Sequence, residues 1–368
     1  TVGDVVYDNL GLYDRHKAMM ALMEIVQWNL PGNHDINFAS PDASFANETF
    51  KSHFGPTYYS FNHGNVHFVA LNNVEYAGGG KSFGNSGYRG FIPEHQLQWL
   101  AQDLANVSAS KLIVIATHIP LISEADDGLS EIYSGPNTEN FSSLLEILEP
   151  FSNIYGIAGH DTSNSWKVEV NHSHGWQGQP WIAHTLAEVR GSGWPKGLTD
   201  ARGVKDSIME DGNPNGFYVL KFDDRNVTPD FIPFPFGPDA TQRLRITLDP
   251  PLSEIEGGSI NRGTAHTDTK IVVNLFDGGI RDLVWAFIDD GGAQAMTYTV
   301  RTDPFVERLE SIYQDTDSEY SPAARSAHIW EMDLPDGLGE GLHTVRIRTE
   351  DEFGQRREGA MTFEIIDQ

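Results

Sequence analysis

Four short segments of the sequence carry side chains that could bind a metal ion. They are Gly3-Asp4, Gly32-Asn33-His34-Asp35, Thr117-His118-Ile119-Pro120 and Gly159-His160. Each follows an apolar run, so we expect its polar side chain at the C-terminal edge of a strand, where the sites of open α/β sheets collect. Together Asp4, Asn33, His118 and His160 would offer one carboxylate, one amide oxygen and two imidazoles to a hard or borderline cation.

Each segment taken alone has an ordinary structural explanation. A single histidine after a strand is more often a structural residue, and Gly3-Asp4 or Gly32 could simply belong to turns. Their order is more informative, because Pro31-Gly32-Asn33-His34-Asp35 is a rare string that falls between Gly3-Asp4 and the two later histidines. The combination therefore indicates a metal site.

The composition restricts the ions and partners of such a site. The chain has no cysteine, which excludes thiolate ligands and favours Mn, Fe, Zn, Mg or Ca on oxygen and imidazole donors. Acidic residues outnumber basic ones 52 to 25, and a formal charge of −27 repels nucleic acid, which we do not expect as a partner. A small phosphorylated substrate stays compatible, because bound cations reverse the local field. No window approaches the ~18 consecutive apolar residues of a membrane span.

The elements that must position these residues alternate between strands and helices in the first part of the chain. Residues 66–71 and 112–116 are β-branched apolar runs of the buried-strand type, and residues 54–66 are typical of a hairpin. Helices are expected from Pro93 to about residue 104 and near residues 141–148. This alternation predicts a layered α/β (α+β) domain over residues 1–235.

The pattern of the sequence changes at residues 231–238, which contain several prolines and a glycine. Seven strand-like runs follow, with one helix near residues 304–313. The runs are residues 244–248, 270–276, 283–288, 296–301, 327–332, 343–348 and 361–366. Their number and spacing predict an all-β, immunoglobulin-like C-terminal domain over residues 236–368.

The four segments resemble the second to fifth motifs of the calcineurin-like metallophosphoesterases, with the first extended to Gly3-Asp4-Val5-Val6-Tyr7-Asp8-Asn9. Residues 54–61, 66–73 and 96–100 resemble the same family. Residues 328–331 and 342–346 are similar to the C-terminal β-domain of a bacterial, usually exported branch, so the resemblance extends over nearly the whole chain. It implies a periplasmic or extracellular location.

The resemblance implies a sandwich of two mixed sheets flanked by helices, with two divalent metal ions (Mn, Fe, Zn or Mg) at their edge. Asp4 would bridge the metals, and Asn33, His118 and His160 would bind the second one. His34 would contact the phosphate and assist the leaving group, with Asp35 orienting its ring. A metal-bound hydroxide would attack the phosphorus of a phosphomonoester or phosphodiester.

The other metal position departs from the family pattern. Its Asp-x-His motif would lie upstream of Thr1, so the sequence is expected to be a processed, cut or partial piece that lacks the first strand. Its second histidine should fall at residue 162, which is a threonine. Three explanations compete: residues omitted from the sequence, a one-metal or weakened enzyme with Asp161 or a nearby histidine as substitute ligand, or a pseudoenzyme.

Two further residues are weaker candidates for substrate binding. Arg89 could hold a phosphate through its guanidinium fork, although a surface salt bridge is the simpler explanation. His184 follows an apolar run and could approach the site from a strand edge, or be a buried structural histidine. Two other functions stay open: a non-catalytic or weakened surface protein that binds glycans or a partner, and cleavage of a pyrophosphate or phosphotriester.

Overall fold

The computed structural model describes residues 1–124, 134, 135, 137–189, 197–199, 203, 205, 208–234, 243–253, 259–264 and 267–366. The chain divides into two compact units. The first contains Thr1–Asp161, Trp166–Leu186 and Lys221–Val227, and the second contains Thr162–Ser165, Ala187–Leu220 and Thr228–Gln368. The predicted domain boundary between residues 235 and 236 lies outside the described residues.

The first unit is built on a mixed six-stranded sheet. Its strands and those of two small hairpins are β1 (Tyr59–His63), β2 (Val66–Ala70), β3 (Val74–Tyr76), β4 (Tyr88–Gly90), β5 (Leu112–Ala116), β6 (Ser123–Glu124), β7 (Ser134–Gly135), β8 (Ile154–Ala158), β9 (Trp166–Val170) and β10 (Trp181–Thr185). The large sheet has the order β1-β2-β5-β8-β10-β9, with β2, β5, β8 and β10 parallel. The outer strands β1 and β9 are antiparallel to their neighbours.

Short helices accompany this sheet. The α-helices of the first unit are α1 (Tyr13–Met20), α2 (Glu48–Phe54), α3 (Glu94–Leu104) and α4 (Phe141–Leu148), and 3₁₀ turns lie at Leu10–Leu12, Ala21–Met23, Asn33–Asp35, Ala43–Phe45 and His172–His174. The face of α4 that carries Phe141, Leu144, Leu145 and Leu148 is buried, as the 3.6-residue period requires. These side chains and the leucines of α3 pack in one core with β2, β5 and β8.

The second unit is mainly a sandwich of two sheets. Its strands are β13 (Leu244–Asp249), β14 (Arg262–Gly263), β15 (Lys270–Leu275), β16 (Leu283–Ile288), β17 (Gln294–Ala295), β18 (Thr297–Thr302), β19 (Arg325–Asp333), β20 (Gly341–Glu350) and β21 (Arg356–Ile365). A four-stranded sheet, β13-β15-β19-β18, shares one apolar core with a five-stranded sheet, β14-β21-β20-β16-β17. The helix α5 (Pro304–Tyr313) begins after Asp303, whose side chain accepts from Phe305 N–H.

The two remaining strands, β11 (Gly216–Asp223) and β12 (Asn226–Pro233), form a two-stranded sheet. The prediction of a mixed α/β fold with a β-rich C-terminal region is confirmed, and all seven predicted C-terminal strands are present. Of the two mixed sheets that the resemblance implies, the described part of the first unit contains one, the six-stranded sheet. No helix in the described ranges combines the length and apolar character needed to cross a bilayer.

The N-terminal segment differs from the prediction, because it does not form a strand that ends at Gly3-Asp4. Gly3 and Asp4 have φ of +105° and +51°, which lie outside the extended region. Asn33 likewise begins a 3₁₀ turn and does not follow a strand. The local backbone, and not the edge of a sheet, therefore sets the positions of Asp4 and Asn33.

Candidate metal centre

His118 follows β5 and is held there by a buried asparagine. The backbone N–H groups of His118 and Ile119 both donate to Asn73 Oδ1, at 3.2 and 3.1 Å. The Asn73 amide donates to Ile119 O at 2.7 Å. Because the Asn73 side chain forms hydrogen bonds with three backbone groups, it fixes the loop after β5 and thereby the position of His118. Asn73 was not singled out from the sequence, although it lies two residues past the predicted strand at residues 66–71.

His160 reaches the same edge from the neighbouring strand. β5 and β8 are adjacent and parallel, so their C-terminal ends meet. Gly159 N–H donates to His118 O at 3.0 Å, and the His118 and His160 ring centroids are 4.9 Å apart. Both histidines thus lie just past strand ends, as the sequence predicts.

Two glycines allow the N-terminal segment to approach this edge closely. A Cβ on Gly3 would lie 2.3 Å from His118 Nδ1, and a Cβ on Gly32 would lie 2.1 Å from Asp4 Oδ1. Asp4 Oδ1 also accepts a hydrogen bond from His34 N–H at 2.9 Å. A larger side chain at either glycine would therefore displace the carboxylate or the imidazole.

Four atoms that could bind a metal ion converge at this point. His118 Nε2 lies 3.0 Å from Asn33 Oδ1, 3.1 Å from His160 Nδ1 and 3.4 Å from Asp4 Oδ2. Atoms bound to one ion at ~2.1 Å, at right or tetrahedral angles, are about 3.0–3.4 Å from one another. Of the described acidic and histidine side chains, Asp4, His118 and His160 are the group whose donor atoms lie close enough to hold an ion. The spacing therefore fits a single coordination shell.

The arrangement of hydrogen-bond donors and acceptors around His118 also favours a bound cation. His118 Nδ1 lies 2.8 Å from Val2 O and donates to it, so Nε2 is the ring nitrogen that faces the cluster. Nε2 can offer at most one proton to the two oxygens beside it, Asn33 Oδ1 and Asp4 Oδ2. His118 and Asn33 are 1% and 4% exposed, whereas Asp4 is partly buried. A divalent cation would bind both oxygens and Nε2 together, and the Val2 contact is the usual way to fix a ligating histidine.

The protonation of the cluster agrees with ligation. Burial alone would raise the pKa of Asp4. The hydrogen bond and charge of His118, together with the hydrogen bond from the His34 N–H, outweigh the effect of burial and lower the pKa. Burial, reinforced by the neighbouring His118, lowers the pKa of His160 to about 4. A deprotonated carboxylate and a neutral imidazole are the forms that bind metals.

His34 lies beside the cluster and is held on two sides. Its Nδ1 donates to Asp8 Oδ1 at 2.8 Å. Its ring stacks on Tyr7, with centroids 4.3 Å apart and planes inclined by 29°. Asp8 was not singled out from the sequence, although it belongs to the motif at residues 3–9.

The predicted role of Asp35 is wrong, because Asp35 does not orient the His34 ring. Its carboxylate is fully buried and accepts from Gly32 N–H at 2.9 Å, Val5 N–H at 3.1 Å and the Tyr13 hydroxyl at 3.0 Å. Burial raises the pKa of Asp35 to about 6, against the opposing effect of these hydrogen bonds. Asp35 therefore ties the two segments that carry Asp4 and Asn33, while Asp8 holds the ring.

Arg89 is engaged in a surface salt bridge and does not face the cluster with a free guanidinium. Its Nε and Nη1 donate to Glu75 and Glu139, at 2.6 and 2.7 Å. Its guanidinium also lies 4.4 and 4.5 Å from the ring centroids of Phe83 and Phe91. The structural explanation of Arg89 is thus the one the geometry favours.

The remaining candidates lie apart from the four converging atoms. His184 is buried within β10, and its Nδ1 is 2.8 Å from the Tyr155 hydroxyl. Asp161 follows His160 with its N–H bonded to Gly159 O at 2.8 Å, and its carboxylate is not in the group that could hold an ion.

Tyr88 borders the cluster and was missed by sequence reasoning. Its ring meets that of His160 edge-to-face, with centroids 5.9 Å apart and planes at 85°. Burial raises the pKa of Tyr88, and the nearby charges of Asp4 and Asp8 raise it further. Its phenol therefore stays protonated beside the cluster.

A comparison with known protein families matches the second half of the chain, beyond the four segments of the candidate site. Residues 184–356 match the family described as the C terminal of calcineurin-like phosphoesterase. No curated protein matches the chain. Phosphoesterases of this family bind divalent metals, and the family implies metal-dependent phosphoester hydrolysis in general. The C-terminal match supports the calcineurin-like phosphoesterase family, which the motifs of the N-terminal part also resemble.

Proposed function

We propose that the chain is a metal-dependent hydrolase of small phosphate monoesters or diesters, with its metal held by Asp4, Asn33, His118 and His160. The observation that carries this proposal is the convergence of their ligand atoms on His118 Nε2, at 3.0, 3.1 and 3.4 Å. Oxygen and imidazole donors suit Mn, Fe, Zn or Mg.

The residues around the cluster have separable roles in this proposal. A bound divalent ion would polarise the phosphoryl oxygens and acidify a water molecule. His34, with Nδ1 held by Asp8, presents Nε2 as the atom that carries a proton to the leaving oxygen. Tyr7 covers one face of this ring and limits its rotation. Asp35 maintains the backbone that places Asp4 and Asn33.

The alternative function rests on the second metal position of the family pattern, where one histidine ligand is replaced. Residue 162, where the family pattern has a histidine ligand, is a threonine. One cation with four protein ligands would neutralise less charge in the transition state than two. This residue favours, as the alternative, a weakened or non-catalytic binding protein on the same scaffold.

The test is turnover by protein stripped of metal and then loaded with Mn, Fe, Zn or Mg. We expect hydrolysis of p-nitrophenyl phosphate or its bis-ester to require the metal. His34→Ala should keep its metal by elemental analysis but lower kcat by ~10²–10⁴-fold, as expected for a lost general acid. His63→Ala, an exposed histidine at the end of β1, is the matched control and should match the wild type. If the loaded wild type cleaves neither ester, the hydrolase proposal fails and the binding alternative takes its place.

A further inference from the structure

Tyr88 occupies a fixed position next to the cluster. β3 and β4 pair in antiparallel register, with Tyr76 directly opposite Tyr88, so both rings lie on the same face of the hairpin. Both rings pack against the small core formed by Ile36, Ala46, Val74 and Ile119. Ile36 and Ile119 closely follow Asn33 and His118 in the chain, so this core joins Tyr88 to the segments that carry the proposed ligands.

The residues next to Tyr88 keep its strand in place. Arg89 points to the other side of β4 and is tied to Glu75 and Glu139. A Cβ on Gly90 would lie 2.2 Å from Asn137 O, so the backbone of β4 is in close contact with that segment. A strand anchored on both sides leaves the Tyr88 side chain little freedom to move away from His160.

The Tyr88 hydroxyl lacks a protein partner within the described part of the chain. The hydrogen bonds of the hairpin involve its backbone and the Ser86 and Arg89 side chains, but not the phenolic oxygen. The ring is only partly buried, and the hydroxyl lies within the electrostatic influence of Asp4 and Asp8. A phenol in this position is a donor that faces the site without an acceptor.

We propose that Tyr88 binds the substrate by donating its hydroxyl hydrogen to a non-bridging oxygen of the phosphoryl group. The inference rests on the proposed function, since it places that group at the Asp4–Asn33–His118–His160 cluster. The ligand class is a phosphoryl anion, whose oxygens are strong acceptors for a neutral donor. Arg89, the cation nearest to Tyr88 along the strand, is already paired with two carboxylates. Tyr88 therefore takes the part that an arginine often takes in phosphate sites.

The experiment compares Tyr88→Phe with Tyr76→Phe in the full chain loaded with Mn. Both substitutions remove one hydroxyl and keep the ring, and Tyr76 packs on the same core but makes its ring contact with Phe38. The first measurement is the binding of inorganic phosphate by calorimetry. Loss of a hydrogen bond to a charged group should weaken phosphate binding about tenfold or more in Tyr88→Phe, with no change in metal content or in Tyr76→Phe.

A second measurement separates this inference from the proposed function. For bis(p-nitrophenyl) phosphate, Tyr88→Phe should lower kcat/KM by about the same tenfold factor as it weakens phosphate binding. Phosphate binding that weakens only in Tyr88→Phe supports the inference, even if no ester is turned over. Equal binding by wild type and Tyr88→Phe, equal losses in both variants, or no phosphate binding by the metal-loaded wild type would each overturn it.

Discussion

Two polar clusters of similar composition lie in different units of this protein, and they differ in their balance of hydrogen-bond donors and acceptors. The first is the candidate metal centre of Asp4, Asn33, His118 and His160. The second, which we call the His328 network, consists of Ser165, Asp211, Asn213 and His328, and all four of its residues are completely buried. Each cluster contains an aspartate, an asparagine and at least one histidine.

The His328 network satisfies itself. Asp211 Oδ2 accepts from Ser165 N–H at 3.0 Å, from Asn213 Nδ2 at 2.8 Å and from His328 Nε2 at 3.1 Å. His328 Nδ1 donates to Gly278 O at 2.7 Å, so both ring nitrogens donate. Burial alone would lower the pKa of His328, but the hydrogen bond and charge of Asp211 outweigh it and raise the pKa. Donors and acceptors match, and the network needs no ion.

In the candidate metal centre, one nitrogen of His118 faces two oxygens and can offer at most one proton to them. Val2 O takes the Nδ1 proton of His118, and the opposite nitrogen faces the oxygens of Asn33 and Asp4. Residue types alone therefore do not distinguish a structural network from a metal site. The number of hydrogen-bond donors relative to acceptors does distinguish them, since an excess of acceptors is unfavourable unless a cation binds to them.

The largest expected effect is that of His118→Ala on the metal centre. Removing Nε2 deletes the atom on which the other donors converge, so the protein should lose one equivalent of metal and its hydrolysis should fall to background. Elemental analysis after loading measures the first effect and p-nitrophenyl phosphate turnover the second. An unchanged metal content would show that the ligands have been misassigned.

The same substitution in the other cluster, His328→Ala, should act on stability instead. It leaves Asp211 as a buried charge without its partner, which typically costs about 3–5 kcal/mol. Urea unfolding measures this loss, and metal content in the folded variant should equal that of the wild type. If His118→Ala destabilised the metal-free protein as much as His328→Ala does, the contrast between the clusters would be refuted.

A smaller effect distinguishes the two aspartates near His34. Asp8→Ala removes the acceptor of His34 Nδ1 and should lower kcat by about 10–100-fold, as is typical for a group that orients a functional imidazole. Asp35→Asn keeps an oxygen for the N–H groups of Gly32 and Val5, and its kcat should stay within about threefold of the wild type. Steady-state kinetics at saturating metal measure both kcat values. A larger loss of kcat in Asp35→Asn than in Asp8→Ala would show that Asp35 orients His34.

The smallest effect is the pH dependence of the stability that His328 provides. Because its pKa is raised in the folded state, this stabilisation is complete below the unfolded imidazole pKa of about 6.5 and is lost as the pH rises through the folded value. The difference in unfolding free energy between wild type and His328→Ala should therefore shrink from pH 6 to pH 9. A difference that grows over this range would mean that His328 is neutral in the folded protein.

Much of the fold follows from local patterns. The helices at Glu94–Leu104 and Phe141–Leu148 and seven of the nine strands of the C-terminal sandwich appear where periodicity and turn residues predict them, and the two exceptions are the two-residue strands β14 and β17. The predicted strand end at Gly3-Asp4 is absent, because a strand depends on neighbours for its hydrogen bonds and cannot be inferred from apolar residues alone.

The sequence by itself determined which residues could form the centre. Asp4, Asn33, His118 and His160 are recognisable because their types suit a hard or borderline cation and their motifs stand in a rare order. Three contacts become visible only in the folded chain: Asp8 and not Asp35 holds His34, Arg89 is already paired, and Tyr88 lies against His160. Hydrogen bonds and coordination depend on distances of about 3 Å between side chains far apart in the chain, and sequence spacing does not specify these distances.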